Sequence, residues 1–384
     1  MVLRKIAFSS LERSGGMILS FSEGKFISQR GQLNYQEVLD DFPTAHTIRI
    51  LTYNISKSKK YDELLEKLKN NTTADIQLIT NIPSRMEKYY DSSAGKNKRS
   101  SARRNIQIYV SKLNPKQFSE KFSPFFNFNN HAKIIGTENV VYIGSANYSN
   151  ESTDNIETGV IIYDKIFIQD LYSQFFNSVK QESTSYLDDD FNEFRLFIIS
   201  LYFKFEHHHT KILTDLFTGY GQEGYTLSYT IFMDTTDLDN LYRDLEEVES
   251  IYSSIDDFYD KSNTTYNAEI QIIKDKFENI DIKSLMKTIE EGGTLYRLVA
   301  YDGDQTASDI LQEEIDAVDE ALEMYAEDAA DQAAQFYDFL RNDFLEESDS
   351  FLEEIEKIIS ALDSANRFVE KWKNTKINPV IDNT

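Results

Sequence analysis

The sequence predicts an α/β domain over residues 1–183, with a mixed sheet flanked by helices, followed by an acidic, mostly α-helical domain over residues 184–384. Three observations carry this. Short β-branched and aromatic runs fill the first half, broken by helical stretches. After about residue 183 the apolar spacing turns helical almost throughout. The charge divides at the same place. Residues 1–180 hold 24 Lys and Arg against 18 Asp and Glu, whereas residues 181–384 hold 16 against 47. The overall net charge of −25 therefore conceals a mildly basic half that can meet a polyanion.

The elements follow in order. Residues 17–27 (MILSFSEGKFI) predict a hairpin, and residues 34–41 a short helix. Thr47 to Asn54 is a strand rich in β-branched residues. Ser56 or Ser58 is placed to cap the next helix, which runs to about Lys69 with Leu64, Leu65 and Leu68 on one side. Asp75 to Thr80 is the following strand. Strand, helix and strand in so short a span form a βαβ unit with a parallel pair. Asn81 to Arg85 then leaves the C-terminal edge of the second strand, where open α/β sheets bind ligands.

Residues 91–104 are rich in Ser and Gly and predict a basic loop holding Lys96, Lys98, Arg99, Arg103 and Arg104. With Arg85 these are the candidate substrate-binding cations. They suit a phosphate backbone, and equally a solvated surface loop. Asn105 to Val110 predicts another strand. The aromatic run from Phe118 to Phe128 fits a core cluster, with base stacking as the alternative. Ile166 to Val179 has helical spacing and closes the domain against its sheet.

In the second half, Phe191 to Phe217 is helical, Tyr225 to Met233 is a strand or a buried turn, and helices dominate from Thr235. Ile315, Val318, Leu322, Tyr325 and Ala329 make a heptad-like seam, suited to dimerisation or to packing within the subunit. Thr306 or Ser308 caps that helix, which runs past Phe336, and Phe351 to Trp372 forms another. Glycines at 291–293 and 302–304 separate the helices.

Composition excludes several classes of chemistry. With no cysteine there are no disulfides, zinc–thiolate sites or cysteine nucleophiles, and a reducing cytoplasm fits. No apolar run is long enough to span a membrane, and the first residues lack a secretory apolar core.

Residues 131–162 organise the rest. The stretch holds His131, Lys133, Ser145, Asn147 and Glu157 among short β-type runs. Imidazole can attack phosphorus or protonate a leaving oxygen. An ammonium and an amide can hold non-bridging oxygens, and a carboxylate can orient the imidazole. On an extended segment His131 and Lys133 point to one face. Val140 to Ile143 runs as a strand into Gly144, where the absence of a side chain allows close approach to a ligand. Thr158 to Ile162 is a third strand with Glu157 at its start. Three neighbouring strands would bring all five polar groups to one sheet edge.

This stretch resembles the phospholipase D superfamily, whose signature is HxKxxxxD, then GSxN, then a Glu before an apolar strand. The chain reads His131-x-Lys133, Gly144-Ser145-x-Asn147 and Glu157, but carries Glu138 at the position of the family's Asp. The resemblance implies a phosphodiesterase that needs no metal or cofactor and has two catalytic histidines. His131 would be nucleophile or acid; Lys133, Asn147 and Ser145 would hold the phosphate oxygens; Glu157 would orient His131; and Glu138 would be structural. His209-Thr-Lys211 matches HxK, yet Asp215 falls one residue early, no GSxN follows, and the segment is helical. His207, His208 and His209 are adjacent and lack acids at ligand spacing, so a packing role is expected. One half-site per chain implies a homodimer sharing one active site.

The basic loop favours nucleic acid over phospholipid or another small diester, the alternatives being those substrates or a non-catalytic nucleic-acid or partner-binding module. A nuclease of this kind suits anti-phage defence, with the acidic half docking a partner subunit such as an ATPase or covering the basic groove.

Overall fold

The computed structural model describes residues 17–21, 23–56, 62–83, 102–189, 191–221, 224–260, 262–315 and 322–373. Arg85, Lys96, Lys98, Arg99, Ser58 and Val318 lie outside these residues. The chain divides into two compact units between Phe197 and Ile198.

The first unit is built on a nine-stranded sheet. Its strands are β1 (Met17–Phe21), β2 (Gly24–Gln29), β3 (Thr47–Thr52), β4 (Asp75–Thr80), β5 (Phe122–Phe126), β6 (Ile134–Thr137), β7 (Val141–Gly144), β8 (Glu157–Ile162) and β9 (Thr184–Ser185). They lie in the order β1-β2-β8-β7-β6-β3-β4-β5-β9. β3, β4 and β5 are parallel, and every other pairing is antiparallel. The parallel core follows from two crossovers, α2 (Glu63–Lys69) and α3 (Ala102–Lys112); α1 (Gln36–Asp41) precedes β3.

Alternation along the strands buries both faces. Ile48, Ile50, Ile76 and Leu78 are fully buried. The opposite positions Leu51, Ile79, Ile134 and Val141 pack with Ile168 and Phe176. Those last two come from a helical run made of α4 (Lys165–Asp170), a π-helical turn (Leu171–Phe176) and α5 (Asn177–Gln181). A sheet covered on both faces leaves only its strand ends for a site.

Two local expectations are corrected, and the core reading of the 118–128 aromatics holds. Residues 105–110 form part of helix α3, not a strand: Ile106, Tyr109, Val110 and Leu113 are buried at helical spacing. Asp62 caps α2, its side chain accepting from the Leu65 N–H, while the Ser56 hydroxyl takes the Asn150 N–H. The 118–128 aromatics are packing residues: Phe122 and Phe126 are buried, and Phe118 stacks on Phe122 with centroids 3.9 Å apart.

The second unit is mostly helical. The helix α6 (Asn192–Leu216), within which the division falls, is followed by the hairpin β10 (Phe217–Gly221) and β11 (Gly224–Leu227). Then come α7 (Thr235–Ile255), α8 (Thr264–Glu278), α9 (Ile282–Ile289), α10 (Thr294–Val299), α11 (Gly303–Ile315) and α12 (Leu322–Trp372). Gly292, with φ of 90°, makes the turn between α9 and α10.

The expected break between Phe336 and Phe351 does not occur, because both lie on the 51-residue α12. Leu340, Phe344, Ser348, Leu352 and Ile355 keep one buried stripe running through that stretch. Asp302, not Thr306 or Ser308, caps α11 by accepting from the Gln305 N–H. Of the heptad-like seam, Ala329 is buried and Tyr325 half-buried. No described helix is long and apolar enough to cross a membrane.

Candidate active site

Topology gathers the catalytic candidates. β3, β4 and β5 end at one edge of the sheet, at Thr52, Thr80 and Phe126. β6 runs antiparallel to β3, so it starts at that edge just after His131 and Lys133. β7 ends there and delivers Ser145 and Asn147, and β8 starts there with Glu157. All five side chains thus stand on neighbouring strand ends.

The segment before β6 is held from below by amides. Asn127 N–H donates to the Thr80 carbonyl at 2.9 Å, and the Asn81 side chain donates to the Phe128 carbonyl at 2.8 Å. The Asn130 side chain donates to the Thr52 carbonyl at 2.8 Å and accepts from the Ala132 N–H at 3.0 Å. The Asn130–Thr52 bond is buried and the Asn81–Phe128 and Ala132–Asn130 bonds partly so, so the geometry they fix is costly to relax.

On that support His131 is exposed while Lys133 is only 8% exposed. Lys133 Nζ lies 3.3 Å from His131 Nδ1 and donates to the His131 carbonyl at 2.6 Å. The Tyr53 ring stands beside both, its centroid 4.8 Å from that of the imidazole and 5.3 Å from Nζ. Desolvation, and then the Lys133 ammonium, hold the His131 imidazole below its ordinary pKa.

The other candidates sit on a stiff turn. The Asn147 side-chain oxygen accepts from Thr52 Oγ1 at 3.4 Å, and its carbonyl accepts from the Tyr35 hydroxyl at 2.9 Å. Ser145 Oγ donates to the Glu157 carboxylate and accepts from the Thr158 N–H at 2.9 Å. Within one chain, then, the carboxylate of Glu157 engages Ser145 and not His131, contrary to the orienting role expected from sequence.

Gly144 is also corrected. A Cβ there would fall 2.2 Å from the Tyr142 hydroxyl, and one on its cross-strand partner Gly159 would fall 2.4 Å from the Tyr142 ring. The space is filled by Tyr142, whose hydroxyl donates to the Thr158 carbonyl at 3.0 Å and accepts from the Ala146 N–H at 3.1 Å. The glycine admits an aromatic ring rather than a ligand, and the ring ties the Ser145 turn to β8.

Glu138 does structural duty. Its two carboxylate oxygens accept from the N–H groups of His46 and Thr47, each at 2.9 Å, at the start of β3. Arg103 and Arg104 are exposed in the first turn of α3, on a helix and not in the expected loop.

Tyr53, Thr52, Asn81, Asn130 and Tyr142 were not singled out by sequence. One signal was present: β3 and β4 both end in Thr followed within two residues by Asn, and 127–130 reads Asn-Phe-Asn-Asn. Polar residues repeated just past parallel strand ends mark an edge network.

Residues 43–179 match the family model described as "Cardiolipin synthase, PLD-like domain". Over these residues the chain has a phospholipase D-like domain. Among solved structures it is similar to the phospholipase D family member Nuc from Salmonella typhimurium, at 14% identity and a TM-score of 0.29, covering 41% of this chain and 94% of that one. It is also similar to NucT from Helicobacter pylori, at 13% identity and a TM-score of 0.27, over 39% and 89% of the two chains. Phosphatidylserine synthase from Haemophilus influenzae is matched at 14% identity and a TM-score of 0.29, over 44% and 43%. No curated protein gives a match.

The superfamily's second HxK has no counterpart at 209. His209 and Lys211 lie on helix α6, where positions two apart diverge, and they face different partners. His209 Nε2 lies 3.4 Å from Glu356, whereas Lys211 pairs with Asp215 and Asp237 at 2.9 and 3.2 Å. His208 is buried against Asp244 at 2.9 Å. Among the described residues no group of His, Asp and Glu is arranged to hold a metal ion.

Proposed function

We propose that the protein is a phosphodiesterase that cleaves nucleic acid, a nuclease of the phospholipase D type, through a phosphohistidine at a site shared by two subunits. The observation that carries this is the contact of His131 with Lys133 on the strand edge that also presents Ser145, Asn147 and Glu157. These residues stand in the superfamily's order and spacing.

The chemistry follows from the ring nitrogens. With the Lys133 ammonium donating to Nδ1, the neutral imidazole carries its proton on Nε2. To act as acid the ring must take a proton on Nδ1 in place of the ammonium contact, and the charged ring can then give its Nε2 proton to a leaving oxygen. A nucleophilic imidazole instead needs Nδ1–H held by an acceptor and a free lone pair on Nε2. Glu157 is the carboxylate at this edge that can supply the acceptor when it releases Ser145 or meets the imidazole of a second subunit.

One imidazole attacks phosphorus and the ester P–O bond breaks. The other imidazole, protonated, gives its proton to the leaving oxygen. Water then attacks the phosphohistidine, the second imidazole takes the water proton, and the P–N bond breaks. Lys133 and Asn147 from both subunits hold the non-bridging oxygens. Basic Arg103 and Arg104, with Arg85, Lys96, Lys98 and Arg99, are the cations proposed to bind the backbone of DNA or RNA.

The remaining assignments rest on this reading. They are a homodimer through the first unit, residues 1–183 as the catalytic domain, residues 184–384 as an assembly or regulatory domain docking a partner such as an ATPase, and a cytoplasmic place in anti-phage defence.

The test is cleavage of labelled DNA and RNA in excess EDTA by the full chain, beside His131→Ala, with mass measured by light scattering. Cleavage by a dimer that survives EDTA and falls by about 10³-fold or more in the variant supports the proposal. Hydrolysis of phospholipid micelles and not of nucleic acid would replace the substrate class. Equal activity of His131→Ala would remove the mechanism.

A further inference from the structure

Among the described residues, the second unit carries a strip of aromatic rings that its core does not fully bury. Tyr229 follows β11, Tyr301 lies between α10 and α11, and Phe336, Tyr337 and Phe339 lie on α12. The rings touch in series. Tyr229 meets Tyr337 at 5.9 Å between centroids, Tyr337 meets Tyr301 at 5.2 Å, Tyr301 meets Phe336 at 6.0 Å, and Phe336 meets Phe339 at 6.2 Å. Two hydroxyls pin the strip: Tyr337 donates to the Tyr229 carbonyl at 2.8 Å, and Tyr301 to the Ala333 carbonyl at 2.7 Å. Yet Tyr229, Phe336 and Phe339 are 70%, 45% and 55% exposed. The buried stripe of α12 runs through Ala333, Leu340 and Phe344, so the two phenylalanines are not needed to fill it. A contiguous, pinned apolar strip left open on so acidic a unit marks a surface for a partner.

The surrounding charge decides which partner. Residues 326–350 hold eight Asp and Glu against one base, Arg341. Glu327, Asp328, Asp331, Asp338 and Glu346 are exposed, and so is Asp302 beside Tyr301. The one base is itself drawn onto the strip. Its guanidinium lies 5.3 Å from the Tyr229 centroid and 5.9 Å from that of Tyr337, donates to the Leu227 carbonyl at 3.0 Å, and has the Asp338 carboxylate at 3.6 Å. Ring faces with an acid at their edge are thus already how this surface holds a guanidinium. A second copy would set acid against acid, and a nucleic acid or an anionic bilayer would meet the same repulsion.

We propose that the strip of Tyr229, Tyr301, Phe336, Tyr337 and Phe339 is a docking surface for a basic segment of another protein, whose arginine or lysine side chains lie over the exposed rings and pair with the surrounding acids. The proposal rests on the docking role of residues 184–384, to which it gives a surface and a chemistry, and not on the cleavage reaction.

The test is selection of a displayed random-peptide library on the full chain. Recovered peptides are made as free fluorescent probes and titrated by anisotropy, at matched salt, into wild type and into Phe336→Ser/Phe339→Ser. The expected peptides interleave arginine or lysine with apolar residues, and they bind the double variant about tenfold or more weakly. Asp328→Asn/Asp331→Asn should weaken them about threefold, with the loss shrinking as salt rises. Peptides that bind wild type and Phe336→Ser/Phe339→Ser alike would show only a diffuse attraction to the acidic unit and overturn the proposal. So would recovered peptides without net positive charge, an affinity unchanged in Asp328→Asn/Asp331→Asn, or no recovered peptide at all. If the double phenylalanine variant loses the wild-type circular dichroism, Phe339→Ser alone provides the comparison.

Sedimentation equilibrium checks the other occupant: self-association of wild type that Phe336→Ser/Phe339→Ser abolishes would make a second copy the partner and overturn the proposal. Binding is read without substrate, so the two readings fail separately. An inactive wild type whose peptides bind as expected would retain the docking surface and reject the nuclease.

Discussion

Two histidines of this chain live in opposite surroundings. His131 stands on an extended segment, exposed, beside a lysine and an aromatic ring, with no carboxylate among the described residues hydrogen-bonded to it. His208 is buried in helix α6, and its Nε2 meets the Asp244 carboxylate, which also holds Lys204 Nζ at 2.5 Å. In the first region partial burial, and then a cation, lower the imidazole's pKa and leave its outer edge exposed. In the second, the neighbours satisfy the polar groups and link α6 to α7. Sequence places the same residue types, His and Lys, in both regions. The backbone decides which becomes a site, because residues two apart meet on an extended segment and diverge on a helix.

The most damaging way to break this contrast is at Asp244. Burial pushes its carboxyl up, but Lys204 and His208 together outweigh that and hold it below the ordinary carboxylate value. A group with a depressed folded pKa contributes stability above its unfolded pKa of about 3.9 and loses it as the pH falls through the folded value. Acid should therefore weaken the helical unit below about pH 4 by this route. Asp244→Ala removes the buried carboxylate that Lys204 and His208 share and should cost about 3–5 kcal/mol in urea unfolding at pH 7. Replacing all three by apolar residues, as Lys204→Met, His208→Phe and Asp244→Leu together, should recover most of that loss. A triple variant as unstable as Asp244→Ala would mean that the charges do more than satisfy one another.

The strand edge that carries His131 breaks through packing instead. Gly159→Ala puts a Cβ 2.4 Å from the fully buried Tyr142 ring, with the Ile143 carbonyl at 2.8 Å. The ring is fixed by two hydrogen bonds, so the strands must part. The expected cost is about 1–3 kcal/mol, read as a lower thermal midpoint. Tyr142→Leu added to Gly159→Ala should recover part of it, and a strictly additive double variant would show that the ring is not the obstacle.

How much was legible follows from the same physics. The His131, Lys133, Ser145, Asn147 and Glu157 pattern, the parallel β3–β4 pair and the diverging His209 and Lys211 were readable because each depends on local period and spacing. Tyr53 and the amides of Asn81 and Asn130 were not, since their role arises only when strands distant in sequence end side by side. The strand expected at 105–110 failed for a different reason. Asn-Ile-Gln-Ile-Tyr-Val alternates like a strand, yet Ile106, Tyr109, Val110 and Leu113 also fit a helical stripe, and the crossover between parallel β4 and β5 selects the helix. Likewise one helix was expected to run past Phe336 and another to begin at Phe351, while the buried stripe of α12 continues unbroken through the acidic tract between them.

The gentlest test lies at Glu138, where the chain departs from the superfamily's Asp. Its carboxylate bridges the N–H groups of His46 and Thr47, at the far end of β3 from Tyr53. His46 is exposed, so water can replace the bond that its N–H loses, and only the half-buried Thr47 N–H is left wanting. Glu138→Ala should therefore cost about 1 kcal/mol in urea unfolding, and Glu138→Gln, which still offers one acceptor, less. Cleavage per folded molecule should stay within twofold of wild type in both. A folded Glu138→Ala protein with cleavage reduced more than tenfold would mean that the start of β3 transmits strain along the strand to Thr52 and Tyr53, and that the acid belongs to the working machinery as well as to the fold.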